Sequence, residues 1–250
     1  VNRLLASGIH VSRTSEVSSI GDSSLQAGSF LVQSNSKSDD ILRDSRSSIQ
    51  AEIGGTTIAP ESSGKRLRIP RIGVYQSYVP STEEGWTRFV LDQYEFQHEP
   101  IWDWAVRETD LPQRFDVIVI PHQTVRQIQR GFNSATYSKR YSGGLGDVGV
   151  EKLLDFANSG GTLIVWDGSA RWATRHFDLP VVNVLAGLTN SDFFAPGSLL
   201  DIRVNTDHPI GYGMPENAAA LFMNGPAWRL KQGQSIAEFA AEKPLLSGLL

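Results

Sequence analysis

Cysteine is absent from this sequence of 250 residues. Without cysteine the chain forms no disulfide, offers no thiolate to a zinc ion and has no cysteine nucleophile. The absence leaves the redox compartment open, because a chain without thiols suits reducing and oxidising environments alike. The remaining composition, with 40% hydrophobic and 9% aromatic residues, is that of an ordinary globular protein.

The sequence also lacks a strong excess of charge. Its 23 Lys and Arg residues nearly balance 27 Asp and Glu residues, which gives a formal net charge of -4. The one basic cluster, Lys65–Arg68 followed by Arg71, is short. A chain of this kind has no general attraction for polyanions, so nucleic acid is not expected as a partner.

Long apolar runs are missing as well. No run approaches the roughly 18 residues that a membrane span needs, and the first residues, Val1–Leu5, do not show the order of regions of a signal peptide. Because the first residue is not Met, we expect a fragment whose own start and any targeting signal lie upstream of Val1. The end at Leu250 shows no terminating element, so truncation is expected there too.

Residues 1–64 are predicted to form a small N-terminal α/β segment that ends in a linker. A short helix around Val1–Ala6 precedes two brief strands, Ile9–Val11 and Ser29–Val32, which a Ser- and Gly-rich connection separates. These elements are too few to fold alone.

An amphipathic helix is predicted after these strands. Ser38–Asp40 is typical of an N-cap with an acidic first turn, and Gly54–Gly55 is a typical stop. The apolar positions that share one face of this predicted helix are Ile41, Leu42, Ile49 and Ile53. The linker is placed at Thr56–Lys65.

Residues 65–250 are predicted to form one domain in which strands and helices alternate. The predicted strands are Ile72–Tyr75, Glu95–Ile101, Phe115–Ile120, Thr162–Trp166, Leu199–Val204 and Ala219–Met223. The predicted helices are Glu83–Tyr94, Val148–Asn158 and Ser169–His176, while Ser235–Ala241 fits a strand or a short helix. Nearly continuous apolar runs such as Phe115–Ile120 are typical of parallel strands buried on both faces, so a parallel sheet is expected.

Polar residues that follow the predicted strands are the candidates for a binding cleft. Ligands of open α/β sheets lie beyond the carboxyl ends of the strands, near the point where the strand order reverses. This rule selects Ser77 and Tyr78 after the first strand of the domain, His122 after the third, and Asp167 and Ser169 after the fourth.

Ser169 is the one hydroxyl nucleophile at the predicted strand-to-helix turn. A serine hydrolase would need it on a sharp elbow with a histidine base, and His122 or His176 would be the base. The sequence around it lacks the spacing Gly-x-Ser-x-Gly. We therefore favour Ser169 as the N-cap of its helix and Asp167 as a turn residue that satisfies backbone donors.

Neither metal-binding nor phosphate-binding motifs are evident. The five histidines are scattered and none forms a zinc motif such as His-x-x-Glu, and His98–Glu99 is expected at the surface. The glycine-rich loop Gly143–Gly149 lacks the pattern of a phosphate loop, so a close crossing of two backbones is the favoured interpretation. Trp102 and Trp104 are the best candidates for an aromatic platform that binds carbohydrate.

Several segments together resemble a region of large bacterial zinc carboxypeptidases of the carboxypeptidase A type. They are Arg71–Tyr78, Glu84–Arg88, Leu91–Tyr94, Arg114–Val119, Tyr141–Gly146, Gly160–Leu163, Ala195–Ser198 and His208–Met214. In that family this region follows the peptidase domain and resembles a class I glutamine amidotransferase domain. The resemblance covers nearly the whole chain and implies a flavodoxin-like, glutamine amidotransferase-like fold: a three-layer α/β arrangement around a parallel sheet.

The resemblance also sets the functional expectation. Peptidases of this family hold zinc with a His-x-x-Glu pair and a distant His, and none of these has a counterpart here. The chain is therefore expected to be a non-catalytic accessory domain, for packing or substrate binding, of a secreted or periplasmic zinc metallocarboxypeptidase. Its expected partners are the upstream peptidase domain, which would hold the zinc, and a peptide or glycan ligand. The alternatives are a serine-dependent hydrolase using Ser169 and a carbohydrate-binding module.

Overall fold

The computed structural model describes residues 1–20, 23–46, 52–57 and 64–250. Its helices in these ranges are α1 (Asn2–Ala6), α2 (Ser36–Ser45), α3 (Thr82–Gln93), α4 (Asp103–Glu108), α5 (Leu111–Arg114), α6 (Val125–Arg130), α7 (Gly146–Asn158) and α8 (Asp167–His176). None of them combines the length and the apolar character that crossing a membrane requires.

The strands of the same ranges are mostly short. They are β1 (Val11–Arg13), β2 (Ser18–Ile20), β3 (Ser23–Leu25), β4 (Phe30–Val32), β5 (Lys65–Arg66), β6 (Ile72–Gln76), β7 (His98–Trp102), β8 (Val117–Ile120), β9 (Thr162–Val165), β10 (Val181–Asn183), β11 (Ser198–Val204), β12 (Asn217–Phe222), β13 (Trp228–Leu230), β14 (Ala237–Phe239) and β15 (Leu245–Ser247).

The chain divides into two compact units. The first comprises Val1–Ile69, Asp201–Ala218 and Ile236–Glu242, and the second comprises Pro70–Leu200, Ala219–Ser235 and Lys243–Leu250. Segments from the C-terminal part of the sequence thus belong to the same unit as the N-terminus.

The first unit is built on the antiparallel sheet β4-β1-β5. Leu4 of α1, Ile9 and Val11 form its buried core, and Ile41 and Leu42 of α2 pack against that core. The N-terminal residues thus combine helices with strands, as predicted, and the unit that contains them also includes Asp201–Ala218 and Ile236–Glu242. Sequence patterns gave no indication of the short β2–β3 hairpin.

Helix α2 differs from its prediction at both ends. Its N-cap is Asn35 rather than Ser38, because the Asn35 side chain accepts from the backbone of Ser38 while the Ser38 hydroxyl accepts from the backbone of Asn35. This reciprocal capping box starts the helix at Ser36. The helix ends at Ser45, so Ile53 lies outside it. The predicted helical position Ile49 and most of the predicted linker lie outside the described residues.

The second unit contains a four-stranded parallel sheet in the order β7-β6-β8-β9. The first strand of the sheet in the sequence, β6, lies between the second and the third, which is the flavodoxin-like order. Helices cover both faces. The predicted flavodoxin-like, three-layer α/β fold is confirmed.

One face of this sheet carries the main core. Tyr75, Ile118 and Ile120 point to this side and pack with buried residues of α4, α5, α6, α7 and α8. Trp172 of α8 is fully buried there, and its indole N–H donates to Gln129 Oε1 of α6 at 2.9 Å. Val150, Leu153 and Phe156 of α7 are buried in the same core.

The opposite face has a smaller core under α3. Ile72, Val74 and Val119 form it, with Leu91 of α3 packed against them. Strand β9 is the edge of the sheet, and Ile164, which pairs with Val119, is 37% exposed. The prediction of another buried strand at Thr162–Trp166 therefore holds for one face only, because Leu163 and Val165 pack against the main core while Thr162 and Ile164 are exposed.

Two strands of the C-terminal region match their predictions closely. Strand β11 begins one residue before the predicted Leu199, and β12 ends one residue before Met223. The segment Ser235–Ala241, left open between strand and helix, contains strand β14. The antiparallel pair β10–β13 and the strand β15 were not expected from the sequence.

Candidate functional site

The candidate site lies at the switch point of the parallel sheet. Strand order reverses between β6 and β8, and in open α/β sheets the ligand crevice opens beyond the carboxyl ends of two such strands. The loop Ser77–Ser81 follows β6 and the residues Pro121–Thr124 follow β8. Strand β9, next to β8, leads directly into α8 at Asp167.

Asp167 occupies the strand-to-helix elbow in a left-handed backbone conformation, with φ of 39°. Few residues other than glycine adopt this region, and aspartate tolerates it better than most. A carboxylate therefore stands at the sharpest point of the turn, and its side chain is 48% exposed. The loop after β12 approaches it closely, since a Cβ added to Gly225 would lie 3.0 Å from Asp167 Oδ1.

His122 pairs with this carboxylate. Its Nδ1 lies 2.9 Å from Asp167 Oδ2 and 3.1 Å from the backbone N of Gly168. Nδ1 serves one of these groups at a time: as N–H it donates to the carboxylate, and as a lone pair it accepts from Gly168. Gly168 is required for this approach, because an added Cβ would lie 2.6 Å from the imidazole Cε1.

Ser169 is a structural residue in this geometry rather than an N-cap. The N-cap position of α8 is Trp166, and Ser169 lies within the helix with no exposed surface. Its hydroxyl donates to the carbonyl of Pro121 at 2.5 Å and accepts from the backbone N–H of Gln123 at 2.8 Å. The predicted N-cap role is wrong because the helix already begins at Asp167, so Ser169 is its third residue.

Asp167 also differs from its predicted role of satisfying backbone donors in the turn. Its carboxylate pairs with the His122 side chain from the neighbouring strand end. The structure thus brings His122 and Asp167 into direct contact. Ser169 is buried close to this pair, and its hydroxyl anchors the loop after β8.

Gln123 links the two loops of the switch point. Its Nε2 donates to the carbonyl of Val79 at 2.9 Å, and Ser81 Oγ donates to the carbonyl of His122 at 3.0 Å. Gln123 is 5% exposed, yet within the described part of the chain its Oε1 has no hydrogen-bond partner. A buried acceptor without a donor costs about 1–3 kcal/mol, so this atom is suited to a ligand or water that donates a hydrogen bond.

Ser77 and Tyr78 lie on the β6 side of the switch point. Ser77 is buried, and its hydroxyl accepts from the backbone of Val79 at 3.1 Å. The Tyr78 ring stacks on Trp102 with 4.8 Å between centroids and meets the Tyr141 ring edge-on at 4.9 Å. Three aromatic rings therefore form one cluster beyond the carboxyl ends of β6 and β7.

A buried acid lies next to this cluster. The Tyr75 hydroxyl donates to Asp103 Oδ1 at 2.5 Å, and Asp103 is 1% exposed. Burial raises the pKa of Asp103, although the hydrogen bond from Tyr75 and the charge of Arg107 oppose the shift. Burial, followed by the nearby charge of Asp103, raises the pKa of Tyr75 well above its usual value. No sequence pattern indicates this pair, which forms only because β6 and β7 lie side by side in the sheet.

Metal-binding side chains do not cluster in the described ranges, where no group of three or more His, Asp or Glu residues is placed to hold an ion. The expectation that His98 lies at the surface is wrong. Its side chain is 11% exposed and its Nε2 lies 2.9 Å from Asp92 Oδ1. Glu99 instead pairs with Arg114 at 3.1 Å.

The glycine-rich loop forms the close backbone crossing that the sequence favoured. A Cβ on Gly144 would lie 2.5 Å from the carbonyl of Ile128, and one on Gly131 would lie 2.7 Å from the backbone N of Gly144. The loop is therefore packed against the end of α6. Of the two tryptophans considered as a carbohydrate platform, Trp102 stacks on Tyr78, and Trp104 carries the Arg140 guanidinium 5.0 Å from its ring centroid.

Comparison with known proteins yields similarity of fold only. The sequence matches no model of a protein family, and no curated protein matches it. A glutamine amidotransferase from Thermotoga maritima has 8% identity and a TM-score of 0.46, with 72% of this chain and 70% of that chain covered. A protein described as ThuA-like from Bacteroides uniformis has 12% identity and a TM-score of 0.39, with 75% and 78% covered. Similarity at this level carries no information about activity.

Proposed function

We propose that this chain is a non-catalytic accessory domain that binds a ligand in the crevice at the switch point of its sheet. The observation that carries the proposal is the elbow at Asp167. A position suited to a nucleophile holds a carboxylate paired with His122, while the neighbouring hydroxyl of Ser169 is buried and bonded to backbone groups. The scaffold of a catalytic elbow is present without an accessible hydroxyl or thiol.

The ligand is proposed to carry hydrogen-bond donors. Gln123 Oε1 is a buried acceptor without a donor in the described residues. His122 Nε2 is a further acceptor whenever Nδ1 donates its proton to Asp167. The aromatic cluster around Tyr78 adds an apolar wall with π-faces. Peptide N–H groups and glycan hydroxyls both match this combination of acceptors and rings.

The wider setting of the proposal rests on the resemblance to secreted or periplasmic zinc carboxypeptidases. The peptidase domain of the same polypeptide would hold the zinc and carry out proteolysis, and this chain would pack against it or present substrate to it. The described part of the chain supplies no cluster of metal ligands that suggests a zinc site of its own.

Metal and activity measurements on this chain test the proposal. We expect that the chain holds no stoichiometric zinc after it has been dialysed against a chelator, mixed with zinc and desalted. We also expect that it releases no C-terminal amino acids from peptides. Zinc retained at one equivalent, or carboxypeptidase activity of the isolated chain, would contradict it. Binding is tested with peptide and glycan arrays probed by wild type and by Gln123→Leu, which keeps an apolar stem but removes the buried acceptor.

A serine-dependent hydrolase remains the second candidate, and it has less support. All hydrogen bonds of the Ser169 hydroxyl run to backbone atoms of Pro121 and Gln123, and the imidazole of His122 is directed at Asp167 through Nδ1. Hydrolysis of a simple ester that disappears in Ser169→Ala while the variant stays folded would favour this candidate.

A further inference from the structure

The elbow at Asp167 is a tight turn of a defined type. The backbone N–H of Ser169 donates to the carbonyl of Trp166 at 3.0 Å, which closes a turn with Asp167 and Gly168 at its centre. Asp167 has a positive φ of 39°, whereas the φ of Gly168 is not positive. A positive φ at the first central position alone is the mark of a type II′ turn. Aspartate therefore stands at the position of this turn that glycine usually fills.

This backbone conformation is the one that aspartate needs for ring closure onto the next residue. In that reaction the backbone N of Gly168 attacks Cγ of Asp167 and forms a five-membered succinimide ring. A planar ring requires Cβ of Asp167 and N of Gly168 to eclipse about the Cα–C bond. For an L residue this holds ψ near the value of about −120° that the first central position of a type II′ turn has. The turn thus brings the two reacting groups together, which lowers the entropic cost of the reaction.

The His122 imidazole contacts both reacting groups through one nitrogen. Its Nδ1 lies 3.1 Å from the N of Gly168 and 2.9 Å from Asp167 Oδ2. An amide nitrogen is a poor nucleophile because its lone pair is delocalised into the carbonyl group, so a base that takes its proton promotes the attack. A carboxylate oxygen is a poor leaving group until it is protonated. Nδ1 therefore lies within reach of the proton that must leave and of the oxygen that must receive it.

The surroundings of the elbow favour the same reaction. Gly168 has no side chain to hinder its backbone N, and a Cβ there would lie 2.6 Å from His122 Cε1. The oxygen that stays in the ring, Oδ1, faces Gly225, where an added Cβ would lie 3.0 Å away. The Asp167 side chain is 48% exposed. Water that forms from Oδ2 can therefore leave, and solvent can reach the ring.

We propose that Asp167 is a site of spontaneous isomerisation, at which His122 promotes closure of a succinimide ring onto Gly168. The imidazolium form of His122 first gives its Nδ1 proton to Asp167 Oδ2. Nδ1 then takes the N–H proton of Gly168 as the N–Cγ bond forms, and it passes that proton to the same oxygen. The Cγ–Oδ2 bond breaks, one water leaves and the imidazole is left neutral. The chain supplies every group that the step needs.

Hydrolysis of the ring has two outcomes. Water added at Cγ restores aspartate, and water added at the backbone carbonyl gives isoaspartate, in which the chain runs through Cβ. The isoaspartyl link adds one atom to the backbone at the centre of the turn, so the elbow and the contact of Asp167 with His122 are lost. The reaction is thus a slow route that dismantles the crevice at the switch point. It does not depend on whether that crevice binds a ligand.

Incubation of the full chain in water labelled with heavy oxygen, followed by digestion in ordinary water and mass spectrometry, tests this proposal. Each cycle of ring closure and hydrolysis places labelled oxygen at Asp167, and fragment spectra assign the label to single residues. Folded wild type should take up label at least about a hundredfold faster than the same chain unfolded in urea, because the turn and the imidazole act only in the fold. An unfolded chain that reacts as fast as the folded one would overturn the proposal.

His122→Ala removes the group that transfers the proton and should slow the uptake of label at Asp167 by about a hundredfold, while the far-UV circular dichroism spectrum shows that the variant is folded. Asp178 is the internal control in every sample, since it is also left-handed, with φ of 47°, but is followed by Leu179. It should take up no label. Equal rates at Asp167 in wild type and folded His122→Ala, or equal uptake at Asp178 and Asp167, would overturn the proposal.

Discussion

Replacement of Ser169 by alanine separates a structural role of this residue from a catalytic one. The hydroxyl is fully buried and bridges two backbone groups, the carbonyl of Pro121 at 2.5 Å and the N–H of Gln123 at 2.8 Å. Ser169→Ala leaves both groups without this partner. Each buried polar group that loses its partner costs about 1–3 kcal/mol, so for two groups we expect the free energy of unfolding to fall by about 2–6 kcal/mol.

Urea denaturation followed by circular dichroism at 222 nm measures this change. Ser159→Ala is the matched control, because Ser159 is an exposed serine at the C-terminal end of α7 and its loss should change stability by less than about 0.5 kcal/mol. If Ser169→Ala is as stable as the control, the hydroxyl does not anchor the loop after β8, and the serine-hydrolase candidate gains support.

Three further substitutions test other parts of the structure. Gly85→Ala should raise the free energy of unfolding by about 0.5–1 kcal/mol in the urea assay, because the added Cβ meets no atom within 4 Å and alanine favours the helix. A loss of stability would show that this side of α3 is already covered. Burial raises the pKa of Asp103, so the folded state binds the proton more tightly and stability should fall as pH rises from about 4 through the raised pKa. Asp103→Asn keeps an acceptor for Tyr75 and should remove this component, so its stability relative to wild type should increase with pH; a pH-independent difference would contradict the burial argument. Gly168→Ala should lower the free energy of unfolding by at least about 1 kcal/mol and shift the NMR signals of His122, because the added Cβ lies 2.6 Å from the imidazole. An unchanged His122 spectrum would show that the ring does not pack against Gly168.

The parallel sheet was predictable because its two central strands are short, nearly continuous apolar runs. Strands such as Ile72–Gln76 and Val117–Ile120 need neighbours on both sides, and their alternation with helices specifies parallel pairing. The position of Thr162–Val165 at the edge was not predictable, because an edge strand and a central strand can have the same composition. The strand order arises from pairing between segments far apart in the sequence.

Helix α3 shows a second limit of sequence patterns. The sequence predicted a helix at Glu83–Tyr94, but spacing of apolar residues does not say which side of a helix faces the sheet. In the structure Leu91 and the buried Glu84 face inward and Trp86 faces outward. Burial of a charged residue in this place depends on Arg88, which forms an ion pair with it one turn later.

The candidate site was predictable in its location and not in its contacts. The rule for open α/β sheets selected His122 and Asp167 from their positions after two strands, and the structure joins them. The left-handed conformation of Asp167 and the anchoring role of Ser169 depend on the geometry of the turn, which the sequence Asp-Gly-Ser leaves open. The buried acceptor of Gln123 became evident only from the packing of the two loops.

Hydrolysis assays with wild type and Asp167→Asn test the central claim, that the elbow serves binding rather than catalysis. Both proteins should hydrolyse peptide, glutamine and simple ester substrates no faster than the uncatalysed reaction. Any peptide or glycan found on the arrays should be bound without turnover. Turnover by wild type that Asp167→Asn abolishes, with the variant still folded, would contradict the account and identify His122 and Asp167 as catalytic residues.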